Sequence, residues 1–388
     1  MKAHFIPLAL ALALVSCQKN EEESSPGTEV GSEPVVAPAE WPVTRGGGGL
    51  SGRIAAPVPG EPRLKWRFES AFPIASEAVF AGGKVIFGND GGELFCLDTE
   101  SGGVIWQKEL PDGIEAACAI HEDRVFVPCV DGFLYALALS DGSEIWKHET
   151  RDKITSGVNV APAPDGEGVC LFFNGYDGTS RCLSAADGSE LWRHETDKFI
   201  NGTPAIVEGK WVVFGGCDQK LYTLDLASGE LVNAIMTEAE ITSTVATDGK
   251  LVVVGNYGNQ VLAAQADGEA TQWIYTDRRF PFMASPAIGG GLVFAGCRDK
   301  NLHAIARDTG EGVWKFRTGG RIESSPVLYE NAVVFGSSDG RLYALAPKTG
   351  EELWRVEIGE SLIAAPAGNA RRIFIGGEKG GFYCLEGS

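Results

Sequence analysis

Short apolar stretches recur along residues 63–388, and turn-forming residues separate them. Between residues 322 and 357, four such stretches cover 322–329, 332–336, 341–346 and 352–357, with Asp339-Gly340 and Thr349-Gly350 between the later ones. Runs of this length bounded by such residues predict β-strands joined as hairpins. Nowhere after residue 16 do apolar positions keep a 3.6-residue period for twelve residues, so the pattern predicts an all-β fold.

Tryptophans mark a repeat with a period of about 40 residues. Seven of them form one column: Trp66, Trp106, Trp146, Trp192, Trp273, Trp314 and Trp354. One interval is double the others, and Asn233 stands where its missing tryptophan would be. A second apolar column, from Ile74 to Leu362, has the same spacing. Four strands per repeat of this length are typical of a β-propeller, so the sequence predicts eight four-stranded antiparallel blades.

The two ends of the repeat region predict how the ring closes. Residues 382–386 form the third strand of blade 8, and its missing tryptophan strand is found at residues 63–68. The N-terminal strand is therefore expected to complete the last blade.

Two departures from the repeat pattern lead to predictions of their own. Asn233 predicts a looser interface beside blade 4, and Gly268, one place early, predicts an irregular turn in blade 5.

The N-terminus is typical of an exported protein. A basic Lys2 precedes an apolar run from Phe5 to Val15, which is too short to cross a bilayer as a helix. The sequence Leu14-Val15-Ser16-Cys17 resembles a bacterial lipoprotein cleavage box, although an ordinary signal followed by an incidental cysteine has the same appearance. We predict a signal peptide at 1–16, lipid attachment at Cys17, an acidic flexible tether at 17–45 and the propeller at 46–388. Lipid anchoring in the bacterial envelope follows, with the outer membrane facing the periplasm as the expected location.

The balance of charge excludes one class of partner. The chain has 33 Lys and Arg against 52 Asp and Glu, a net charge of −19. So acidic a chain is repelled by a phosphate backbone, so nucleic-acid binding is not expected.

The repeat resembles a known family. Residues 96–106, from Cys96 to Trp106, match the pattern Ala-x-Asp-x-x-Thr-Gly-x-x-x-Trp of the pyrroloquinoline-quinone (PQQ)-like repeat, and residues 304–314 and 344–354 match nearly as well. The resemblance implies that each glycine permits a tight turn and that each tryptophan docks between two blades. Residues 41–46, Trp-Pro-Val-Thr-Arg-Gly, resemble a stretch that precedes many bacterial PQQ-like propellers. We expect this stretch on the rim, although Gly46–Gly49 could also be linker.

The residues that enzymes of this family use are missing from the pattern. The PQQ-dependent dehydrogenases that the repeat resembles have an adjacent cysteine pair, calcium ligands and long insertions. This chain has no adjacent cysteines and no Cys-x-x-Cys, and its repeats hold to 40, 41 or 46 residues. We therefore expect no cofactor, no metal and no catalytic residues, and we ascribe His148 and His194 to copying of the repeat. Cys170 and Cys182 are either buried thiols or a cross-strand disulfide.

One set of loops carries candidate contact residues. The connections from each tryptophan strand to the next inner strand lie on one face, and they hold Lys153, Lys198, Phe199, Arg278, Arg279, Phe280 and Arg321. Basic and aromatic residues are enriched in binding hot spots, so the 277–283 loop is the hypothesised main contact. Solvated loop residues with packed aromatics are the alternative, because Phe282 belongs to the core column.

The whole pattern is similar to the propeller lipoprotein of the outer-membrane barrel-assembly machinery. That similarity implies a monomeric, non-enzymatic scaffold that binds an envelope or outer-membrane protein. A PQQ-dependent dehydrogenase, and an envelope sensor or solute-binding module that uses the central channel, stay open as alternatives.

Overall fold

A computed structural model describes residues 40–163, 166–277 and 279–387. The predicted signal peptide, Cys17 and Arg278 lie outside these ranges. The described residues contain strands and one short 3₁₀ turn at Thr44–Gly46. None of their helices is long and apolar enough to cross a membrane.

The strands form eight four-stranded antiparallel sheets, and we name the strands of each sheet A to D from the channel outward. Blades 1 to 4 consist of β2 (Val79–Ala81), β3 (Lys84–Gly88), β4 (Glu93–Asp98), β5 (Val104–Glu109); β6 (Ala119–His121), β7 (Arg124–Pro128), β8 (Phe133–Ala138), β9 (Glu144–Glu149); β10 (Asn159–Pro162), β11 (Val169–Asn174), β12 (Thr179–Ser184), β13 (Glu190–Glu195); β14 (Ala205–Val207), β15 (Trp211–Gly215), β16 (Lys220–Asp225) and β17 (Leu231–Met236). Blades 5 to 8 consist of β18 (Ala246–Thr247), β19 (Leu251–Gly255), β20 (Gln260–Gln265), β21 (Thr271–Thr276); β22 (Ala287–Gly289), β23 (Leu292–Gly296), β24 (Asn301–Ala306), β25 (Gly312–Arg317); β26 (Val327–Leu328), β27 (Val333–Gly336), β28 (Arg341–Leu345), β29 (Glu352–Glu357); β30 (Ala367–Gly368), β31 (Arg372–Gly376), β32 (Gly381–Glu386) and β1 (Arg63–Glu69).

The ring closes through its two ends. Strand β1 pairs antiparallel with β32, from Arg63 opposite Glu386 to Glu69 opposite Gly381. Lys65 Nζ lies 2.8 Å from a Glu386 carboxylate oxygen across this seam. The predicted eight blades, and the closure of the last by the N-terminal strand, are confirmed.

Neighbouring blades interlock through the second apolar column. All its members, from Ile74 to Leu362, are buried. In most blades a glycine at the end of strand B makes room for the column residue of the next blade. A Cβ built on Gly88 would lie 2.3 Å from Ile114 side-chain atoms, and one on Gly215 would lie 2.1 Å from Ile241. The core is therefore distributed between the blades around the ring.

The tryptophans dock on the following blade. Gly102 has φ +70°, and a Cβ there would lie 2.6 Å from the Trp66 ring, so only glycine lets the indole lie against this turn. Six indole N–H groups also donate to a carbonyl of the next blade; that of Trp192, for example, lies 2.9 Å from Leu226 O. Trp354 Nε1 is buried and finds no hydrogen-bond partner among the described residues, because the next blade is the seam, which has no C–D turn.

The two departures in the repeat face each other across one interface. Asn233 Nδ2 donates to Gly268 O at 2.7 Å, as the indole N–H groups do elsewhere. Glu269 occupies the place of the docking glycine, and Gly268 lacks the positive φ of about 70° that Gly229 and Gly310 have at that place. The missing tryptophan and the irregular turn are thus one local change, in which a small amide replaces an indole.

Residues 41–56, which we call the collar, run around one end of the channel. Collar backbone groups bond to inner strands of successive blades, beginning with Trp41 and Phe80 and ending with Glu330 N and Ala56 O. The carbonyls of Gly48, Gly49, Ser51 and Gly52 accept from blades 4, 5, 6 and 7 in turn.

The collar changes two sequence-based expectations. The 41–46 stretch lies against the inner strands and not on the rim, because its backbone bonds to β2 and β6. Trp41 and Arg45 are almost fully buried, so the folded body includes residues that the sequence assigned to the tether.

The cysteines Cys96 to Cys384 are buried thiols. Cys170 lies opposite Ser184, and Cys182 lies opposite Phe172, so the two cysteines are diagonal neighbours. Their side chains interact as thiols, and the structure contains no disulfide between them.

Candidate partner-binding surface

The D–A and B–C loops form one face of the propeller, which we call the D–A face. Each D–A loop is held by a backbone N–H of the B–C turn beside it, as when Tyr176 N donates to Lys153 O at 2.9 Å and Tyr257 N donates to Glu240 O at 3.0 Å. This bond recurs around the ring and fixes the short loops against the sheets. The residues they carry are therefore presented on a rigid support.

A first cluster lies on blades 3 and 4. The rings of Tyr176 and Phe199 stack with centroids 4.2 Å apart and an interplanar angle of 13°. Lys153 Nζ lies 4.4 Å from the Tyr176 ring centroid, a cation–π contact. Lys198 is exposed, and its Nζ lies 3.7 Å from Glu240. Both rings keep part of their surface in water, so this cluster offers an aromatic platform edged by positive charge.

A second cluster lies on blades 6 and 7. Arg279 is exposed, and Phe280 is 44 % exposed at the tip of its D–A loop. Arg298 Nη2 lies 2.6 Å from Glu323, and Arg321 Nη2 lies 3.8 Å from the same carboxylate.

Phe282, by contrast, is only 1 % exposed, and it packs among the buried residues between blades 5 and 6. The aromatic content of the 277–283 loop is therefore divided: Phe280 is available to a partner, and Phe282 holds the fold.

The candidate residues among those described share the D–A face but form two groups. Blade 5 separates them, and there Tyr257 is 45 % exposed. The sequence pattern did not point to Tyr176 and Tyr257, because both lie in B–C turns and the predicted contact residues all lie in D–A loops. Their shared position in the repeat could have identified them, because each is the second residue after the end of strand B.

The central channel contains a polar cavity of about 180 Å³. Hydroxyl groups from successive blades line it, and several accept a backbone N–H from the preceding blade: Thr203 from Gly157, Thr244 from Thr203, Ser285 from Thr244, and Ser325 from Ser285. These hydroxyls therefore tie blades 3 to 7 together as well as lining the cavity.

Arg45 and Glu77 lie where the collar meets this cavity. Glu77 accepts hydrogen bonds from Trp41 Nε1 at 2.6 Å, Thr44 Oγ1 at 2.8 Å and Arg45 N at 2.9 Å. Burial raises the pKa of Glu77, and the nearby Arg45 charge acts against that rise. Burial lowers the pKa of Arg45 to about 10, so its guanidinium stays protonated at neutral pH. This guanidinium donates to the carbonyls of Pro326 and Pro286.

The channel residues do not fit a quinone cofactor. A flat, acidic quinone needs an aromatic surface to stack on and cations for its carboxylates, but the described lining is mainly small polar and alanine side chains. Two of its charged residues are the carboxylates Glu77 and Glu115, and Arg45 is already bonded to two carbonyls. We therefore derive no reaction step through such a group.

Cys297, Asp299 and His303 bring three possible metal ligands within 4.8 Å of one another, all of them buried. Their arrangement is better explained by the repeat. The bond between His303 and Asp299 occupies the place of the Tyr135–Asp131 bond in blade 2 and of its equivalents in blades 4 and 7. The described residues supply no fourth ligand to this group, so we interpret it as a structural pair beside a buried thiol.

Comparison with known proteins identifies the family. The family model described as "Outer membrane protein assembly factor BamB" matches residues 51–180, 176–315 and 278–378, which is most of the chain. The chain belongs to the BamB family.

Individual relatives are distant. A BamB protein of Yersinia pestis is 23% identical over 249 residues, which cover 60% of this chain and 61% of the relative, so the chain spans about three fifths of that protein's length. The crystal structure of BamB from Moraxella catarrhalis superposes with a TM-score of 0.67 at 17% identity, covering 84% of this chain and 97% of the other. The quinohemoprotein alcohol dehydrogenase of Comamonas testosteroni gives 0.74 at 14% identity, covering 90% and 81%. Structural likeness at these identities shows the propeller fold alone, which a BamB and a dehydrogenase share.

Proposed function

We propose that this protein is a non-enzymatic scaffold in outer-membrane protein assembly, held in the bacterial envelope by a lipid on Cys17. Its D–A face binds a protein partner of that machinery. The observation that carries this proposal is the cluster of Lys153, Tyr176 and Phe199, in which partly exposed aromatic rings lie beneath a lysine on rigid loops. Family membership supports the assembly role, because the relatives are named as assembly factors.

The composition of the face supports protein binding over catalysis. Tyrosine and arginine are the residue types that most often dominate binding energy at protein interfaces, and both clusters contain one of these types. The channel, where a PQQ-type enzyme would hold its cofactor, is lined by residues that do not suit a quinone. Binding on the surface is therefore the function that this geometry supports best.

Co-purification tests the proposal. The full-length protein is expressed with an affinity tag in its native bacterium and purified from solubilised membranes. We expect an outer-membrane β-barrel protein to co-purify with it. Replacing Lys153 and Phe199 with Ala should reduce this recovery strongly, because it removes the cation and one stacked ring. Replacing Arg278, Arg279 and Phe280 with Ala tests the 277–283 loop in the same assay.

The opposite face provides a matched control. Lys250→Ala with Lys348→Ala removes two exposed lysines from the A–B and C–D loops, and recovery should stay unchanged. Full recovery with both D–A variants would contradict the docking proposal. Dye reduction with an alcohol after addition of PQQ and calcium would contradict the proposed non-enzymatic role.

The predicted anchor has its own measurement. Cys17→Ala should release the protein from the membrane fraction and abolish labelling by a radioactive fatty acid. Membrane association that survives this substitution would contradict lipid attachment at Cys17.

A further inference from the structure

A cavity of about 340 Å³ lies between blades 6 and 7, on the face opposite the D–A face, and we call it the blade 6–7 cavity. Apolar residues form much of its lining, namely Leu292, Leu328, Ala346 and Pro347. The collar residue Arg53 lies at its edge. Small-molecule sites in proteins typically have volumes of about 300–1,000 Å³, so this cavity is large enough to hold a ligand.

Comparison of the blades shows why space is left here. The first residue of strand B lies at the groove between its own blade and the next one. In blade 2 this residue is Arg124, whose Nη1 donates to Ala185 O at 2.9 Å and to Ala186 O at 2.7 Å in the C–D turn of blade 3. The cavity beside Arg124 measures only about 180 Å³. Blade 4 has Trp211 at this position, whereas blade 6 has the smaller and partly exposed Leu292.

Three glycines keep the entrance of the blade 6–7 cavity open. A Cβ built on Gly290 or Gly291 would meet no atom within 4 Å, so no side chain fills the space beside them. A Cβ built on Gly289 would lie 3.6 Å from Arg53 Cδ, so the arginine side chain runs alongside this glycine. Arg53 therefore reaches the cavity without closing it.

A second cavity, of about 500 Å³, shares Arg53 and two of these glycines with the first. Ser51, Thr247 and Asp248 contribute polar groups to its lining. A largely apolar space and a more polar one thus meet at a single arginine. This arrangement suits a molecule that has an apolar tail and a polar end.

The charges favour an anion with one negative charge. Arg53 is exposed, and among the residues that the structure describes no carboxylate forms an ion pair with it. Asp248 is already paired with Arg307, whose Nη2 lies 2.9 Å from its carboxylate. Glu330, which lines the blade 6–7 cavity, is exposed and would repel a doubly charged phosphate more strongly than a carboxylate.

We propose that the blade 6–7 cavity binds a single-chain alkyl carboxylate, which is the chemistry of a fatty acid. The alkyl tail lies against Leu292 and Leu328, where its burial provides affinity. The carboxylate accepts hydrogen bonds from the Arg53 guanidinium, whose paired N–H groups match it in geometry and provide selectivity. This site is separate from the D–A face and does not depend on the proposed function.

Isothermal titration calorimetry at neutral pH tests the proposal with octanoate, decanoate and dodecanoate. The protein is the full-length chain with Cys17→Ala, so that no acyl group of its own can compete for the cavity. Affinity should rise about four-fold for each added methylene, because each one buries more apolar surface, until the tail outgrows the cavity. The corresponding alcohol, decanol, should bind at least about ten-fold more weakly than decanoate, since it lacks the charge that Arg53 recognises.

Two variants in this background address the two ends of the ligand. Arg53→Ala should weaken decanoate binding at least about ten-fold and leave decanol binding unchanged. Leu292→Trp copies Trp211 of blade 4, fills the cavity and should abolish the binding of both compounds. Arg63→Ala is the matched control, because it removes another exposed arginine, on β1, and should bind decanoate normally.

The inference fails on any of three results. Arg53→Ala may bind decanoate as tightly as the parent protein, decyl phosphate may bind more tightly than decanoate, or a folded Leu292→Trp protein may retain full binding. Circular dichroism checks the fold of each variant, and if Leu292→Trp does not fold, the Arg53 comparison decides. Co-purification through the D–A face is unaffected by any of these results, so failure here leaves the proposed function standing.

Discussion

At the scale of single residues, the same side chain has different surroundings in different blades. Trp192 is buried, lies against Gly229 and donates its indole N–H to Leu226 O. Trp354 faces the seam, and no residue that the structure describes accepts its N–H. Identical positions in the repeat therefore contribute unequally to stability, in a way that the structure specifies.

Trp192→Ala should lower the free energy of unfolding by about 3–5 kcal/mol, because it leaves a cavity and removes an interblade hydrogen bond. Trp354→Ala should cost less, by about 1 kcal/mol or more, since no hydrogen bond is lost. Equilibrium denaturation of both variants measures the difference. Equal losses of unfolding free energy in the two variants would show that docking of the indole on the next blade's turn adds no stability beyond burial of the ring.

The Asp299–His303 pair predicts a pH dependence. Burial alone would raise the pKa of Asp299, but hydrogen bonds from His303 and Asn301 outweigh it and lower this pKa to about 2. Since the pKa of an unfolded Asp is about 3.9, the carboxylate stabilises the folded state above about pH 4, and this contribution is lost as the pH falls towards 2.

Asp299→Asn should therefore destabilise the protein by about 1–2 kcal/mol at pH 7 and by less at pH 3. Denaturant titrations at the two pH values measure this. His303→Tyr, which copies Tyr135 and Tyr343, serves as the control and should fold normally. A loss for Asp299→Asn that is the same at both pH values would contradict a role for the carboxylate charge.

At the scale of elements, the interface between blades 4 and 5 shows how the repeat tolerates a change. A tryptophan at position 233 would need a glycine at position 269, and Glu269 stands there. The Asn233–Gly268 hydrogen bond replaces the usual indole contact. Asn233 and Glu269 are complementary departures from the repeat, so restoring the usual residue at only one of the two positions should not increase stability.

Asn233→Trp should destabilise the protein, while Asn233→Trp combined with Glu269→Gly should recover or exceed the original stability. We expect a coupling energy of at least about 1 kcal/mol, because the two residues share one contact. Thermal and chemical denaturation of the two single variants and the double variant completes the cycle. Additive effects would show that the turn of blade 5 does not adapt to the indole.

The sequence was sufficient to predict the blades, their number and their closure, because each blade is specified by local turns and by columns such as Ile74 to Leu362. It did not predict the path of the collar, since the bonds of Gly48 and Ser51 join residues far apart in the chain. The candidate site was divided in the same way. Phe199 was found from its loop, but its stacking on Tyr176 depends on how two blades are packed.

At the scale of the whole molecule, the ring is held together in two places: by the collar at the central channel and by the β1–β32 seam farther out. The collar bonds to inner strands around the channel, and β1 bonds to β32 at the circumference. Collar backbone groups form hydrogen bonds with the backbone of six blades, and the Gly48 carbonyl accepts a further bond from the Asn159 side chain of blade 3. Removal of the collar should therefore affect the entire ring and not one blade.

A protein that begins at residue 40 should be as stable as the full-length chain. One that begins at residue 57, without the collar, should lose more than about 4 kcal/mol, at about 1 kcal/mol for each backbone hydrogen bond removed. Calorimetry on the two truncated proteins gives the comparison. Similar unfolding temperatures for both would show that β1 alone holds the ring closed.

Seam and collar together impose an order of events on biosynthesis. Residues 41–69 leave the ribosome long before the strand they pair with, because Arg63 lies opposite Glu386. Contacts so far apart in sequence form slowly, so β1 stays without its partner strand while the intervening blades are made. A nascent chain halted before residue 381 has no β32 to receive β1, so the ring can close only after residues 381–386 have been made.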